Sequence, residues 1–440
     1  MRSHLEFLAS DALGGRGSGT RDEWIAATYA AAHMRRIGVE PAGQGGDYLQ
    51  TIPIERTDAA SPPVLSVAGK RFTHGEHLIV LSIRSAQVTG PLHKHDGAGI
   101  VPDGAVVLMP KEGSVAASSV QKAAVQLLPE TAQVRSRWTA AAARLPGLPA
   151  QIAGVPATTT RPAAVYVDNS TYDAIATIPN GTPVSLTVDL KPPATTRTWN
   201  AVGRLAGSDE KLKGEVILLS AHLDHLGTRP SSSGAEGADS IYNGADDDAT
   251  GTVAVLELAE ALAAGPAPKR TIVFALFGSE ESGGYGSRFF AERPPAPLAS
   301  IVANLQFEMI GRPDKAVPAQ TLWLTGYERS TLGPTLAKHG ARLVKDPHLE
   351  QNFFMRSDNY QFARRGIVAH TVSSYGLHTD YHQPSDEVRA DWDLSGAVED
   401  VQLCFFLGAH VARQPQLPTW RPGDEFEGAR LRALEALRAR

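Results

Sequence analysis

The residues of this chain best suited to chemistry are imidazoles and carboxylates gathered in five short clusters. They are His222-Leu223-Asp224-His225, Asn243-Gly244-Ala245-Asp246-Asp247-Asp248-Ala249-Thr250-Gly251, Gly278-Ser279-Glu280-Glu281, Glu308-Met309-Ile310-Gly311-Arg312 and Tyr381-His382-Gln383-Pro384-Ser385-Asp386. Each cluster alone has a plain structural explanation. A His-x-Asp after a strand is commonly a hydrogen-bonded pair, and a Glu-Glu pair is commonly surface charge. Three aspartates ahead of a helix can serve as its N-cap. Together, however, they make an oxygen- and nitrogen-donor set for a metal site. Crowded acidic groups also need cations, because mutual repulsion otherwise drives their pKa values up.

Each cluster must be positioned by the element before it. Residues 216–220, 271–277, 301–307, 320–325 and 367–372 read as strands. The run 271–277 has no polar alternation, as expected of a strand buried on both faces of a parallel sheet. Helices are expected over 249–264, 285–292 and 393–413. This alternation predicts an α/β fold with a mixed, largely parallel sheet covered by helices. In such sheets the sites gather at the carboxyl ends of strands, where these clusters fall.

The N-terminal stretch to about residue 56 reads as helical. Leu5, Leu8 and Leu13 lead into Gly14-Gly15-Arg16-Gly17, and Thr20 with Glu23 forms a capping box for a second helix that ends at Gly38. Between 59 and 197 proline, alanine, threonine and valine dominate. Short β-like runs at 77–82, 105–109, 163–167 and 184–190 alternate with turn signals, and one helical stretch is expected around 134–145. The expected division is therefore 1–58 as the start of the catalytic domain, 59–197 as an inserted β-rich domain, 198–415 as the main catalytic domain and 416–440 as a helical tail. His93 and His95 lie two apart in the inserted block, but nothing nearby completes a site, so a solvated loop is expected.

Composition removes several function classes. Lys plus Arg total 42 and Asp plus Glu total 47, a net charge of -5, so there is no basic excess to hold nucleic acid or an anionic membrane. Apolar runs fall far short of the roughly 20 residues that span a bilayer. A single cysteine, Cys404, precludes an intramolecular disulfide and is expected as a buried thiol. The sequence opens on an amphipathic helix without a signal peptide, which implies a cytoplasmic protein or a chain lacking its leader.

The order and wording of the five clusters resemble the M28 family of zinc peptidases, which includes bacterial secreted aminopeptidases and glutamate carboxypeptidase relatives. The resemblance covers about 200–413 well and the N-terminal helices more loosely. It implies an aminopeptidase acting on peptides with two zinc ions. His222 and Glu308 would hold one ion, Glu281 and His382 the other, and Asp247 would bridge them. Asp247 is chosen because it lies four residues before Gly251, as the family's bridging aspartate does. Asp224 would hydrogen-bond the far nitrogen of His222, Glu280 would be the general base, and Tyr381 would steady the oxyanion. The block 59–197 resembles the protease-associated insertion of some members. The family usually has aspartate where Glu308 stands, and His378 is a rival to His382. A carboxypeptidase-type activity, with Arg312, Arg356, Arg364 or Arg365 as the carboxylate partner, and a one-zinc glutaminyl-cyclase-like acyl transfer are the alternatives. A periplasmic or secreted location is implied, with a cytoplasmic one as its alternative.

Overall fold

A computed structural model describes residues 1–155, 161–229, 237–389, 392, 394–413 and 416–438. Residue 393, the expected start of the long helix, and residues 414–415 and 439–440 lie outside the described residues. The chain forms two compact units, Met1–Ile52 with Arg197–Arg440, and Pro53–Thr196.

The first unit is built on a sheet whose strands include β1 (Leu49–Arg56), β2 (Ala194–Leu205), β3 (Val216–His222), β4 (Thr271–Phe277), β5 (Ile301–Phe307), β6 (Leu322–Leu324), β7 (Leu343–Lys345) and β8 (Val368–Ser373), in the order β7-β6-β8-β5-β3-β4-β2-β1. The central four, β8-β5-β3-β4, are parallel to one another. Beyond them β6 runs antiparallel to β8 and β2 antiparallel to β4. The fold is thus mixed α/β. Every residue of β3 and β5 is buried, which is why these runs lack polar alternation. The polar side chains they carry are paired: Ser220 Oγ donates to Gln306 Oε1 at 2.6 Å and Asn304 Nδ2 donates to Ser220 Oγ at 2.8 Å.

Helices α1 (Arg2–Leu8), α2 (Arg21–Arg36), α3 (Gly251–Ala264), α4 (Tyr285–Glu292), α5 (Leu394–Arg413) and α6 (Glu427–Arg438) belong to the same unit. Helix α3 buries Val253, Val255, Leu256, Leu258 and Leu262, and α2 buries Ala26, Ala27, Ala30 and Met34. Each large apolar side chain so buried contributes about 1.5–3 kcal/mol. Cys404 is buried on α5. Register levels the strand ends: His222 pairs with Phe277, Ser220 with Gln306, and Phe307 with Val372. The loops that follow β3, β4 and β5 therefore emerge side by side.

Two sequence expectations change here. Residues 49–56 are a strand rather than helix, because Gln50, Ile52 and Ile54 alternate inward at a period of two. Helix α3 starts at Gly251, since Ala245–Thr250 forms a separate wide turn.

The second unit contains one eight-stranded sheet with its own core, including Leu65, Val80, Val106, Val125, Val165 and Leu186. Two short helices, Ala132–Ser136 and Trp138–Ala142, stand where a single helical stretch was expected. His95 is not in a solvated loop. It is buried, and its Nδ1 accepts the Gly97 N–H at 2.8 Å, which folds the side chain onto the following turn.

Candidate metal centre

The three consecutive aspartates have three different surroundings. Asp248 accepts backbone N–H groups from His222 (3.2 Å), Gly251 (3.1 Å) and Met309 (3.0 Å), tying the ends of β3, β5 and α3 together. Asp246 accepts from the Gly311 N–H at 2.8 Å and from Thr250 Oγ1 at 3.2 Å. Asp247 faces two imidazoles, with Oδ1 at 3.1 Å from His222 Nε2 and Oδ2 at 3.2 Å from His382 Nε2. Its backbone N–H donates to Asp386 Oδ2 at 3.0 Å, and Arg312 in turn holds Asp386 at 3.1 Å. Gly251 has no freedom to vary, since a Cβ there would sit 2.3 Å from the Phe307 carbonyl and 2.4 Å from Asp248.

The turn after β4 is fixed by two buried carboxylates. Glu23, on α2, accepts the Ser279 N–H at 2.8 Å and Thr198 Oγ1 at 2.6 Å. Asp224 accepts the Glu280 N–H at 3.0 Å and Ser18 Oγ at 2.5 Å. Ser279, Met309 and His382 all adopt positive φ, at 54°, 51° and 55°. Left-handed backbone at non-glycine residues costs energy and persists only where the surroundings over-determine it. Here it turns three site segments sharply at the cleft.

Those turns bring Glu281 Oε1 to 3.2 Å from His382 Nε2. Asp247, Glu280, Glu281, Glu308, Tyr381 and His382 line one cleft, with Arg356 and Ser357 beside them. Ser357 Oγ donates to Glu308 Oε2. Tyr381 stacks on His382 at 3.9 Å between ring centres, and its hydroxyl accepts from Arg356 Nη2 at 3.2 Å. The other wall is apolar, made by Met309, Trp323, Phe353 and Tyr375.

The structure thus links four of the five expected ligands in a chain of contacts, His222 to Asp247 to His382 to Glu281, with Glu308 lining the cleft beside them. It places Asp224 differently from expectation. His222 Nδ1 lies 3.2 Å from the Asp224 backbone carbonyl, while the Asp224 carboxylate stands off at 3.7 Å. The carboxylate is already engaged by Ser18 and the Glu280 N–H. His378 sits on Asp246 at 3.2 Å, and His348 on Asp314 at 2.9 Å. Arg312 is bound to Asp380 and Asp386, Arg365 to Glu292, and Arg364 lies over the Tyr360 ring. Of the four candidate arginines, Arg356 alone lines the cleft.

Electrostatics separate the carboxylates. Burial opposes ionisation of Asp247, but its contacts with His222 and His382 outweigh that and hold it well below the usual carboxylate range. Burial and Asp247 likewise oppose ionisation of Glu281, yet His225 and His382 bring it down to about 2. Glu280 is driven the other way, well above the usual range, by burial and then by Asp358 and Glu308. Burial lifts Glu308 to about 7. His382 rises to about 9 despite burial, because it faces Asp247 and Glu281. Such an imidazolium–carboxylate cluster can exchange its protons for a cation, since metal ligands must shed their protons to bind. Glu281 Oε1 is also buried without a hydrogen-bond partner. The donor chemistry, and this buried oxygen with two imidazole nitrogens close by but no aligned hydrogen bond, fit a metal such as zinc.

Some site residues were not singled out from the sequence. Glu23 was legible only as a helix cap. Arg16 was part of a glycine-rich turn, yet its guanidinium is buried and donates to the carbonyls of Leu8, Leu223, Asn243 and Gly244 at 2.5–2.9 Å. His225 closes the first cluster, but the resemblance gives it no role. The structure sets it with Asp247 and Glu281, their donor atoms lying within 4.8 Å of one another.

A helix-covered mixed α/β sheet with imidazoles and carboxylates converging beyond its strand ends is the class that fold and site define. Residues 200–406 match the profile of Peptidase family M28. The leupeptin-inactivating enzyme 1 of Streptomyces exfoliatus is 29% identical over 171 residues, 38% of this chain and 34% of that protein. The chain thus matches about a third of that relative's length. Two solved structures share the fold. An aminopeptidase from Aneurinibacillus sp. strain AM-1 is 19% identical with a TM-score of 0.52, over 94% of each chain. BSAP, a zinc aminopeptidase from Bacillus subtilis, is 18% identical with a TM-score of 0.51, over 94% of this chain and 95% of that one. Among the described residues no helix is long and apolar enough to cross a membrane.

Proposed function

We propose that this chain is a two-zinc exopeptidase that hydrolyses the N-terminal peptide bond of peptides. The observation that carries the reading is the contact of His222, Asp247, Glu281 and His382 at 3.1–3.2 Å beside a half-buried glutamate, Glu280, that is not part of that contact. His222 and Glu308 would hold one zinc, Glu281 and His382 the other, with Asp247 between them. Bound zinc would supply a water of lowered pKa and polarise the scissile carbonyl.

The chain's own residues do the rest. Glu280 is locked in place through its backbone N–H on Asp224, and burial raises its affinity for a proton. It therefore suits taking a proton from water and passing it to the leaving amine. Burial keeps the Tyr381 hydroxyl protonated, so it can donate to the oxygen that gains negative charge. The wall of Met309, Trp323, Phe353 and Tyr375 favours an apolar side chain at the cleaved residue.

One observation favours a second reading. Among the described residues Arg356 has no carboxylate partner, and it lines the same cleft. A substrate carboxylate there would make this a carboxyl-end enzyme.

The test is a panel of aminoacyl-p-nitroanilides, assayed before and after chelation and with zinc add-back, with Glu280→Ala alongside. Zinc-restored turnover led by Leu, Met or Phe and lost in Glu280→Ala is expected. Chelator-resistant turnover, or none while metal is bound, overturns the aminopeptidase reading. Carboxyl-terminal substrates then test the second one. Within the same proposal, the unit Pro53–Thr196 is a protease-associated-type insertion, and the protein works in the periplasm or outside the cell. Loss of fold in the remainder after excision of that unit would count against the first, and recovery solely in the cytosolic fraction against the second.

A further inference from the structure

His225 has no task in the function proposed above, yet it is built into the centre. The ring is buried, and neither nitrogen has a hydrogen-bond partner. Its Nδ1 lies near a carboxylate oxygen without hydrogen-bond alignment and its Nε2 has no hydrogen-bond partner, which is costly for a buried imidazole. Its position is tightly made. The His225 N–H donates to the Arg16 carbonyl at 3.1 Å. Gly244, at φ 59°, presses its backbone on the ring so closely that a Cβ would lie 2.5 Å from His225 Cγ. On another side the ring meets His382 edge-on at 5.6 Å.

The donor atoms around it converge. His225 Nδ1 is 2.9 Å from Glu281 Oε1 and 3.9 Å from Asp247 Oδ2. His382 Nε2 is 3.2 Å from both of those oxygens. Four donors on a tetrahedral zinc, with bonds of about 2.0–2.1 Å, stand about 3.3 Å apart. The four observed separations straddle that value. Although Nδ1 is near Glu281 Oε1, the two are not aligned as a hydrogen bond, and both are without such a partner.

We propose that His225 is a fourth protein donor to the metal held by Glu281 and His382. This rests on the two-metal reading. With Asp247, that position has two imidazoles and two carboxylates, and it is closed in the manner of a structural zinc site. The position of His222, Glu308 and Asp247 has three protein donors and stays open, so the two metals are unequal. The closed position fills first and binds more tightly, and the reactive water belongs to the open side.

The test is metal binding to the metal-free protein, followed by zinc content after dialysis, competition with a chelator, and the visible spectrum of the cobalt form. Wild type, His225→Ala and His225→Gln are compared, with the circular dichroism and urea midpoint of each metal-free protein as the control for folding. Wild type is expected to bind two equivalents, one much more tightly. Both variants should lose at least 100-fold in the tighter affinity, and the cobalt band of the closed position should change. If His225 only steadied Glu281 through an N–H, His225→Gln would keep both affinity and spectrum, and that result overturns the proposal. So do two unchanged equivalents in His225→Ala. A wild type that binds no metal defeats the two-metal reading itself, which is a separate result.

Discussion

Replacing Arg16 with methionine should loosen the centre from behind. Its guanidinium is 1% exposed and reaches four backbone carbonyls: Leu8 at the end of α1, Leu223 between His222 and Asp224, and Asn243 and Gly244 just ahead of the aspartate turn. Methionine fills much of the stem's volume but donates nothing. The Leu8, Leu223 and Asn243 carbonyls then lose this donor, at about 1–3 kcal/mol each, so the lower end alone gives about 3 kcal/mol, while the Gly244 carbonyl keeps the Ala249 N–H at 3.2 Å. That is a large share of a typical stability of about 5–15 kcal/mol. Zinc affinity should fall with stability because the loops that carry His222 and Asp247 lose their clamp, although removing the positive charge near Asp224, Asp386, Asp248 and Asp247 acts the other way. Urea unfolding of metal-free Arg16→Met, with zinc binding measured alongside, checks both. A loss below about 1 kcal/mol with normal zinc affinity would refute the idea that this arginine clamps the two loops.

Three further outcomes are expected. Glu280→Gln should cut kcat about 10²–10⁴-fold while leaving zinc content and melting temperature near wild type, because it removes a proton acceptor that is not a ligand; loss of zinc along with activity would contradict this. His370 is buried between the Thr325 carbonyl (2.7 Å) and Ser330 Oγ (2.8 Å), and burial pushes its pKa down to about 4. Its unfolded value is about 6.5, so in between only the unfolded chain takes the proton; stability is kept above pH 6.5 and should fall by about 1.4 kcal/mol per unit towards pH 4. Comparing denaturation of wild type and His370→Gln across that range tests it, and parallel curves would count against it. Arg356→Met should change turnover of amino-end substrates less than tenfold if the enzyme works from the amino end, but should raise KM for free-carboxylate substrates at least tenfold if it works from the other.

The parallel centre of the fold was legible because β3, β4 and β5 are nearly unbroken apolar runs, and only a two-sided burial explains that. The strand at 49–56 was missed because Gln50 occupies one of its inward positions and breaks the apolar alternation. At the site, His222, Asp247, Glu281, Glu308 and His382 could be named because each follows or opens a recognisable element. The partners that hold them could not. Glu23 and Arg16 act across more than 200 residues of sequence, on Ser279 and on Leu223. His225 is three residues past His222, yet only the tertiary approach of Gly244 and Glu281 tells it from a loop histidine. The displacement of Asp224 from His222 had no sequence signal either, since it follows from where Ser18 and the Glu280 N–H happen to lie.

The most direct test of the metal centre is anomalous diffraction at the zinc edge from crystals of the zinc-loaded protein. The account predicts two peaks, one about 2.0–2.2 Å from donor atoms of His222 and Glu308 and one equally close to Glu281 and His382, with Asp247 reaching both. Zinc absent from this cleft, or found instead at the separate cluster of His4, His33 and Glu260, would contradict it.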